Sequence, residues 1–238
     1  MNYLNRKLEM RKKRNIVLGF NPYNEKQIIY WDHWLLISKA LKMATTRHPR
    51  LSVIRFDLRI TDTNADNPSI ILDGVMKRFF TSLQSKIKHN TNFKAHAKAQ
   101  YLRYVWVKEK GNEKEKEHFH ICIFLNKDDF GFIGQYRTDK RENKKVMNTL
   151  RESIVQSWAT ALKVELLMAE RLVYFGKTPL HWLDGSRDTY SADLENVKKR
   201  LCYMAKVETK EFEGRKIGVG KYLIYRTKSK KSSAIAIK

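Results

Sequence analysis

The sequence predicts an α+β domain in which helices pack on an antiparallel sheet, with a His-x-His pair on a central strand. Strand-like runs of β-branched and aromatic residues alternate with amphipathic segments, in the order helix, strand, helix, two strands, helix, strand, helix. The two consecutive strands flank a short charged segment, residues 109–117, that is typical of a hairpin. Strands that follow each other directly favour antiparallel pairing. The fold class by itself indicates no function.

The chain is expected to form one main domain with basic extensions at both ends. No internal repeat and no linker rich in Pro, Gly and Ser divides it. Residues 1–22 are basic and lack strong periodicity, which predicts an N-terminal arm. The domain then covers residues 23–227, and residues 228–238 form a basic tail that we expect to be disordered.

The N-terminal part of the domain is predicted to hold two helices with a strand between them. Apolar residues recur at helical spacing over residues 25–43, and His48-Pro49 ends this helix because the residue before proline avoids helical backbone angles. Residues 51–60 are rich in β-branched and aromatic side chains and predict a strand. A second amphipathic helix begins at Ser69.

The C-terminal part adds a hairpin, two helices and two short strands. Its strands and helices are recognised by the same periodicities, and Ser191 or Asp193 is a suitable N-cap for the last helix. The predicted elements are strands at 101–108 and 118–125, a helix over 146–162, a strand at 172–175, a helix from the cap to Met204, and a final strand at 222–225.

The charge of the chain favours a polyanionic partner. It contains 48 Lys and Arg against 25 Asp and Glu, a net charge of +23. Such an excess concentrates polyanions at the protein surface, and nucleic acid is the commonest of them. A basic soluble protein without a specific acidic ligand is the alternative that charge alone leaves open.

Membrane and secretory functions are not indicated. The apolar runs are too short to cross a bilayer, and the N-terminus lacks the apolar stretch of a signal peptide. Cys122 and Cys202 are the two cysteines, too few for a disulfide framework or a Cys-rich metal site, and both lie in apolar runs typical of buried positions. We therefore expect a protein of the reducing cytoplasm with no membrane partner.

The strongest local signal is the His118-Phe119-His120 segment. Residues i and i+2 of a strand point to the same side, so both imidazoles project together while Phe119 is buried. Two imidazoles on one strand form half of a site for a divalent metal. The alternative is two polar residues on the wet face of an amphipathic strand.

Glu109 is the candidate third ligand. It closes the strand that precedes the charged loop, and the hairpin returns the chain to the histidine pair. A carboxylate with two imidazoles suits Mg²⁺, Mn²⁺ or Zn²⁺ and leaves positions open for substrate oxygens. Spacing alone does not decide between Glu109 and its neighbours Glu113, Glu115 and Glu117, and Glu109 itself can be read as one more surface acid.

Tyr203 is the candidate nucleophile. Lys206 and Lys210 follow it at i+3 and i+7, so all three share one face of the predicted helix. A tyrosine hydroxyl is a weak nucleophile until its phenolate is stabilised, and ammonium groups stabilise phenolates and attract phosphate. The alternative is a tyrosine that packs on the core beside two lysines extended to water.

Several motifs together resemble a known family. Residues 104–109 (YVWVKE), 118–128 (HFHICIFLNKD) and 200–210 (RLCYMAKVETK) occur in that order, with 55–59 (RFDLR) before them and 158–162 (WATAL) before the last. This set resembles inovirus (filamentous phage) and prophage replication-initiator-like proteins of the HUH endonuclease superfamily. The similarity spans roughly residues 50–221, and ordered motifs are more specific than any one of them.

The resemblance implies a role for each matched residue. The fold would be the HUH, ferredoxin-like fold of replication initiators. His118, His120 and Glu109 would bind Mg²⁺ or Mn²⁺, Tyr203 would be the nucleophile, and Lys206 would assist the phenolate or the phosphate. Asp57 would touch the metal, orient a ligand or only stabilise its strand.

The resemblance also implies a reaction. The protein would nick single-stranded or extruded origin DNA, join the 5′-phosphate to the tyrosine and release a 3′-hydroxyl for rolling-circle replication, with host replication proteins as further partners. One departure is that a single tyrosine occupies the nucleophile helix, whereas some initiators use two. The alternative functions are a non-catalytic DNA-binding regulator and a small transposase or relaxase.

Overall fold

The N-terminal elements form a β-hairpin followed by a long helix. In the computed structural model, which describes residues 17–60, 74–89, 102–109, 118–134, 149–207 and 217–219, β1 (Leu18–Asn21) pairs antiparallel with β2 (Asn24–Tyr30). In the turn between them, the side chain of Asn21 accepts a hydrogen bond from the backbone N–H of Tyr23 at 2.9 Å. Helix α1 (Trp31–Arg47) begins directly after β2.

The main sheet is built around β5 (His118–Asn126). This strand lies between β3 (Arg50–Arg59) and β4 (Arg103–Glu109). The other strands are β6 (Val173–Tyr174) and β7 (Leu180–Asp184), both on β3, and β8 (Ile217–Val219) on β4. All of these pairings are antiparallel. The predicted α+β class with an antiparallel sheet is confirmed, and the strand that carries the histidine pair is an interior one.

Both faces of the sheet are covered by helices. They are α2 (Val75–His89), α3 (Lys127–Phe130), α4 (Leu150–Leu162), α5 (Leu166–Leu172) and α6 (Tyr190–Cys202), the last continued by a 3₁₀ turn (Tyr203–Ala205). α2 and α4 pack on one face, and α1, α6 and the 3₁₀ turn pack on the other. Because both faces are covered, β5 is almost continuously apolar after the histidine pair.

Aromatic side chains dominate the core under α2 and α4. Phe79 and Trp158 meet edge to face with ring centroids 5.8 Å apart, and Phe79 also meets Phe56 of β3 at 6.2 Å. Trp158 is fully buried, and its indole N–H donates to the backbone carbonyl of Arg59 at 3.0 Å. This hydrogen bond holds α4 against the end of β3 that lies beside the histidine pair.

A Trp158→Ala variant is expected to lose about 3–5 kcal/mol of unfolding free energy, since it leaves a large cavity and removes the donor for the Arg59 carbonyl. Urea denaturation at equilibrium measures the loss. Trp182→Ala is the matched control, because Trp182 is 47% exposed, and it should change the unfolding free energy by less than about 1 kcal/mol. Similar losses in both variants would contradict this account of the core.

The opposite face carries a second core, which includes both cysteines. Cys122 and Cys202 are buried and free, as predicted. Leu201, Met204 and Ala205 at the end of α6 and in the 3₁₀ turn are buried against apolar side chains of the sheet. This packing holds the segment around residue 203 against the face of the sheet that carries the histidine pair.

The predicted helix over residues 25–43 is wrong at its start. Residues 24–30 form β2, and the helix runs from Trp31 to Arg47. The apolar residues around Ile29 fit either periodicity, and the hairpin turn at Asn21 decides between them. β1 lies within the predicted N-terminal arm, residues 1–22.

Among the described residues after α4, the structure contains three elements that were not predicted from the sequence. β7 pairs with β3, and just before it the Pro179 carbonyl accepts the N–H of Arg55 at 2.8 Å. α5 follows a left-handed residue, Lys163, that ends α4. β8 lies between the last predicted helix and the predicted strand at 222–225, where no strand was expected. The last helix was predicted to run to Met204, but in the structure it ends at Cys202. The candidate nucleophile Tyr203 therefore lies after the helix and not within it.

Some predicted features lie outside the described residues. They are most of the basic arm (residues 1–16), the charged hairpin loop (110–117), the final strand (222–225) and the basic tail (228–238).

Candidate metal centre and nucleophile

The candidate ligands come together because three neighbouring strands are in register. Glu109 of β4 lies directly opposite His118, and Asp57 of β3 lies directly opposite His120. Directly opposed residues of an antiparallel pair point to the same face, as do residues i and i+2 of one strand. The four side chains therefore share one face at one end of the sheet. Glu109 and His120 are buried, and His118 is half-buried.

The distances fit a shared cation. Ligand atoms of Glu109, His118 and His120 all lie within 4.8 Å of one another. The Nε2 atom of His118 is 3.5 Å from Oε2 of Glu109, and Nε2 of His120 contacts the same oxygen. The two imidazole rings are 4.9 Å apart and nearly perpendicular. The predicted His–His–Glu set thus converges, whereas the competing Glu113, Glu115 and Glu117 lie outside the described residues.

This donor set suits a divalent metal. Two imidazoles with one carboxylate bind Mn²⁺ and Zn²⁺ well, and they accept Mg²⁺ when water or phosphate oxygens complete its shell. Three protein ligands leave positions open for substrate. The buried Glu109 carboxylate is stabilised by a cationic partner, which either a protonated His120 or a bound metal ion would supply.

The carboxylates control the protonation of His120. Burial by itself lowers the pKa of His120, but hydrogen bonds to Asp57 and Glu109 outweigh burial and raise it. Burial likewise raises the pKa of Asp57, but its hydrogen bond with His120 and the charge of that imidazole hold the pKa below its usual value. The raised pKa favours a proton on His120, and a metal ion held by Glu109, His118 and His120 would compete with that proton.

Asp57 acts on the site through His120. Its Oδ1 atom lies 2.7 Å from Nδ1 of His120, which fixes the ring orientation and leaves Nε2 directed toward Glu109. Histidine ligands commonly donate their second N–H to a carboxylate in this way. Of the three roles considered for Asp57, the geometry favours orienting a ligand.

Asp57→Asn is expected to lower Mn²⁺ affinity by about 10- to 100-fold, because an amide orients the imidazole less strongly than a carboxylate and does not raise its basicity. Isothermal titration with Mn²⁺ measures the change. Asp184→Asn is a suitable comparison, since Asp184 is a buried carboxylate bound to Arg50 and Lys127 at the other end of β3. Unchanged Mn²⁺ affinity in Asp57→Asn would show that this carboxylate only stabilises its strand.

Tyr203 lies in the 3₁₀ turn with an exposed ring and two flanking cations. Its side chain is 44% exposed, unlike its buried neighbours Cys202 and Met204. The guanidinium carbon of Arg55 and the ammonium of Lys206 each lie 5.4 Å from the ring centroid. Both cations make cation–π contacts with the ring and give this surface a positive charge that attracts a phosphate group. The exposure argues against the alternative of a tyrosine packed on the core.

Lys206 contacts the Tyr203 ring, but the prediction that the two residues share a helical face is wrong. The helix ends at Cys202, and Lys206 has an extended conformation, bridged to Ile29 of β2. Lys206 therefore reaches the ring because the chain turns out of the helix, not because the two residues share a helical face. Lys210 lies outside the described residues.

Arg55 lies between the candidate nucleophile and the candidate ligands, and it was not predicted from the sequence as a site residue. Arg55 and Asp57 are two residues apart on β3, so their side chains point to the same face about 7 Å apart along the strand. Arg55 contacts Tyr203 while Asp57 contacts His120. The tyrosine and the ligand cluster are thus neighbours on one surface. The alternation of charged and apolar residues in RFDLR was the available signal.

Tyr174 is a second tyrosine on this surface. It lies directly opposite Asp57 across the β3–β6 pair, is 51% exposed, and has the guanidinium of Arg59 5.6 Å from its ring centroid. The sequence reading placed this residue in a short strand without a function. The register of that strand on β3, which the sequence does not reveal, brings it beside the ligands.

Comparisons with known proteins agree on a family and name no activity. The chain is 28% identical over 185 residues to Uncharacterized protein YfjJ of Escherichia coli (strain K12), covering 73% of this chain and 85% of that protein. It is 32% identical over 186 residues to Uncharacterized protein YagK of the same strain, covering 74% and 85% respectively. No solved structure matches the chain. No helix in the described ranges has the length and apolarity required to span a bilayer.

The resemblance to HUH replication initiators is not tested by these comparisons and stays a prediction. The family assignment rests on a match over residues 17–221, which begins at the residue before β1 and includes every candidate ligand and Tyr203. By this match the chain belongs to the YagK/YfjJ C-terminal domain family.

Proposed function

We propose that this protein is a metal-dependent DNA-nicking enzyme of the HUH type that initiates rolling-circle replication. The observation that carries the proposal is the juxtaposition of Tyr203 with the Glu109–His118–His120 cluster on one face of the sheet. A cation site beside an exposed tyrosine flanked by two further cations supplies what phosphodiester transfer requires, namely charge neutralisation and a nucleophile. The HUH, ferredoxin-like fold belongs to the same proposal.

The reaction is a transesterification. A bound Mg²⁺ or Mn²⁺ would supply Lewis acidity at the scissile phosphate. The Oη atom of Tyr203 forms a bond to phosphorus as the bond from phosphorus to the 3′-oxygen breaks, and the net transfer of the phenol proton leaves a 3′-hydroxyl. Arg55 and Lys206 neutralise the phenolate and the phosphate during the attack. The 5′-phosphotyrosine retains the energy of the broken bond, so the strand can be rejoined without ATP.

The substrate class follows from the charge and from the reaction. The net charge of +23 supports a nucleic-acid substrate, and a 3′-hydroxyl end serves as a primer for polymerases, with host replication proteins as the expected partners. The proposed substrate is single-stranded or extruded origin DNA. Tyrosine attack leaves DNA ends that need no further processing before extension, which suits an initiator better than a degradative nuclease.

A nicking assay tests the proposal. The full-length protein is incubated with Mn²⁺ and a supercoiled plasmid, or its single-stranded form, that carries the DNA flanking its gene. We expect nicked DNA with protein bound covalently to the 5′ end, detected on a denaturing gel after nuclease digestion, and no product in EDTA. Salt-sensitive DNA binding without any covalent product on these substrates would overturn the proposal and favour a DNA-binding regulator. Transfer of the attached strand into unrelated DNA would instead favour a transposase.

A further inference from the structure

The cleft beside Tyr203 is lined by cations. Its volume is about 810 Å³, and it lies between helix α6 and the strands β3 and β7. The charged residues that line it are Arg55, Arg187, Lys199 and Arg200, with Asp193 as the single acid among them. The Asp193 carboxylate accepts a hydrogen bond from the Thr189 hydroxyl at 2.8 Å. The cleft therefore favours an anionic ligand.

Two arginines from different elements meet in the cleft. Val53 of β3 is buried in the core that includes residues of α6, and Arg55, two residues further along the strand, points to the same face. Arg200 lies near the end of α6, three residues before Tyr203, and also lines the cleft. Burial and then the charge of Arg55 lower the pKa of Arg200, so the two guanidinium groups are close enough to repel each other.

Neither guanidinium has a carboxylate partner within the described part of the chain. Arg200 donates from Nη1 to the hydroxyl of Thr178 at 3.4 Å, and its Nε atom is buried without a hydrogen-bond partner among the described residues. The nearby carboxylate of Asp57 is hydrogen-bonded to His120 instead, at 2.7 Å. Because a buried N–H is destabilising until it finds an acceptor, Arg55 and Arg200 would both be stabilised by a bound anion.

His181 adds a second buried nitrogen to the same cleft. It lies directly opposite Val53 across the β3–β7 pair, so its ring is on the face that carries Arg55. Its Nε2 atom is buried and has no hydrogen-bond partner among the residues that the structure describes. Burial and the charge of Arg200 lower the pKa of His181. An anion would supply an acceptor to both residues, and a phosphate group offers enough oxygens to contact two guanidinium groups at once.

We propose that Arg55 and Arg200 together bind a phosphate group, which in the proposed reaction is the DNA backbone phosphate next to the scissile one. None of the candidate metal ligands lines the cleft, so a phosphate bound there is not the one that the metal contacts. Arg55 also contacts Tyr203 and therefore lies between the two phosphate positions. Holding the neighbouring phosphate fixes the strand with its scissile phosphate toward the nucleophile. This placement rests on the proposed nicking function, whereas phosphate binding by the arginine pair does not.

The first test follows the arginine Nε–H signals of the full-length protein by proton–nitrogen correlation NMR while inorganic phosphate is added. The signals of Arg200 and Arg47 are assigned by their loss in Arg200→Gln and Arg47→Gln. We expect the Arg200 signal to shift saturably, since its N–H gains an acceptor. The reference is Arg47, an exposed arginine in the last turn of α1. An Arg200 signal that moves no more than that of Arg47 would overturn the inference.

The second test distinguishes a backbone phosphate from a free one. Binding of a fluorescein-labelled single-stranded oligonucleotide is measured by anisotropy at several salt concentrations, in EDTA so that no cleavage occurs. Arg200→Gln should weaken binding and reduce the slope of log affinity against log salt by about 0.7, the value for one phosphate contact on a single strand. Arg47→Gln removes the same charge at an exposed position and is the matched control. Thermal unfolding checks that both variants are folded, and Arg200→Lys replaces Arg200→Gln if the latter is not.

The outcomes separate the parts of the inference from one another and from the proposed function. Equal losses of oligonucleotide binding in Arg200→Gln and Arg47→Gln would overturn the assignment to the DNA backbone. If inorganic phosphate still shifts the Arg200 signal in that case, the arginine pair is a site for a free phosphate or a nucleotide. If Arg200→Gln behaves as expected in both tests but no covalent product forms with Mn²⁺, only the nicking proposal fails.

Discussion

A Tyr203→Phe variant is expected to lose covalent attachment to DNA by at least about a thousandfold while it keeps its fold and its DNA affinity. Only the hydroxyl is removed, and the ring is 44% exposed beside Arg55 and Lys206, so packing should change little. Denaturing gels with end-labelled DNA and Mn²⁺ measure the covalent product. Anisotropy measures binding of the same DNA to both proteins.

Tyr174→Phe is the comparison that makes this result decisive. Tyr174 lies on the same face, is similarly exposed and also has an arginine near its ring, so general effects of losing a hydroxyl should be alike in the two variants. We expect Tyr174→Phe to form the covalent product. If the product instead persists in Tyr203→Phe and disappears in Tyr174→Phe, the nucleophile is Tyr174 and the assignment to Tyr203 is wrong.

A His120→Ala variant is expected to lose the stabilisation that Mn²⁺ gives to the wild-type protein. A ligand that binds only the folded state at a hundred times its dissociation constant raises the unfolding free energy by about 2.7 kcal/mol. His120 contacts Glu109 and Asp57 at the centre of the cluster, so its removal leaves His118 and Glu109 as an incomplete site. Urea denaturation with Mn²⁺ and with EDTA measures the difference, and nicking should fall with it.

The control for metal binding is His48→Ala. His48 is a half-buried histidine at the end of α1, and burial lowers its pKa as expected for a neutral imidazole without a carboxylate partner. This variant should keep the full stabilisation by Mn²⁺. Equal stabilisation of wild type, His48→Ala and His120→Ala would place the bound ion elsewhere and contradict the candidate centre.

Features that depend on one strand or helix could be predicted from the sequence. The apolar run after the histidine pair predicted β5 within one residue of its end, and strand alternation predicted that both imidazoles share a face. Glu109 was placed at the end of its strand by the same reasoning. Predicting these features needs only the spacing of apolar and polar residues within one segment of the chain.

Features that depend on which segments meet could not be predicted. Nothing local shows that β7 pairs with β3, so the position of Trp182 could not be predicted. The end of α6 at Cys202 is set by contacts with β2, since Val207 donates to the carbonyl of Ile28. The position of Tyr203 over Arg55 follows from that turn and not from helical spacing.

With the proposed metal centre, the direct pairing of Glu109 with His118 would make metal binding a measure of correct strand pairing. The two residues are nine positions apart in sequence but are register partners across β4 and β5. A slip of one residue would place a lysine, Lys108 or Lys110, opposite His118 and would turn Glu109 to the other side of the sheet. A misregistered chain would therefore present a positive charge where the cation should bind. During refolding, Mn²⁺ would be retained only by molecules whose central strands have found their native partners.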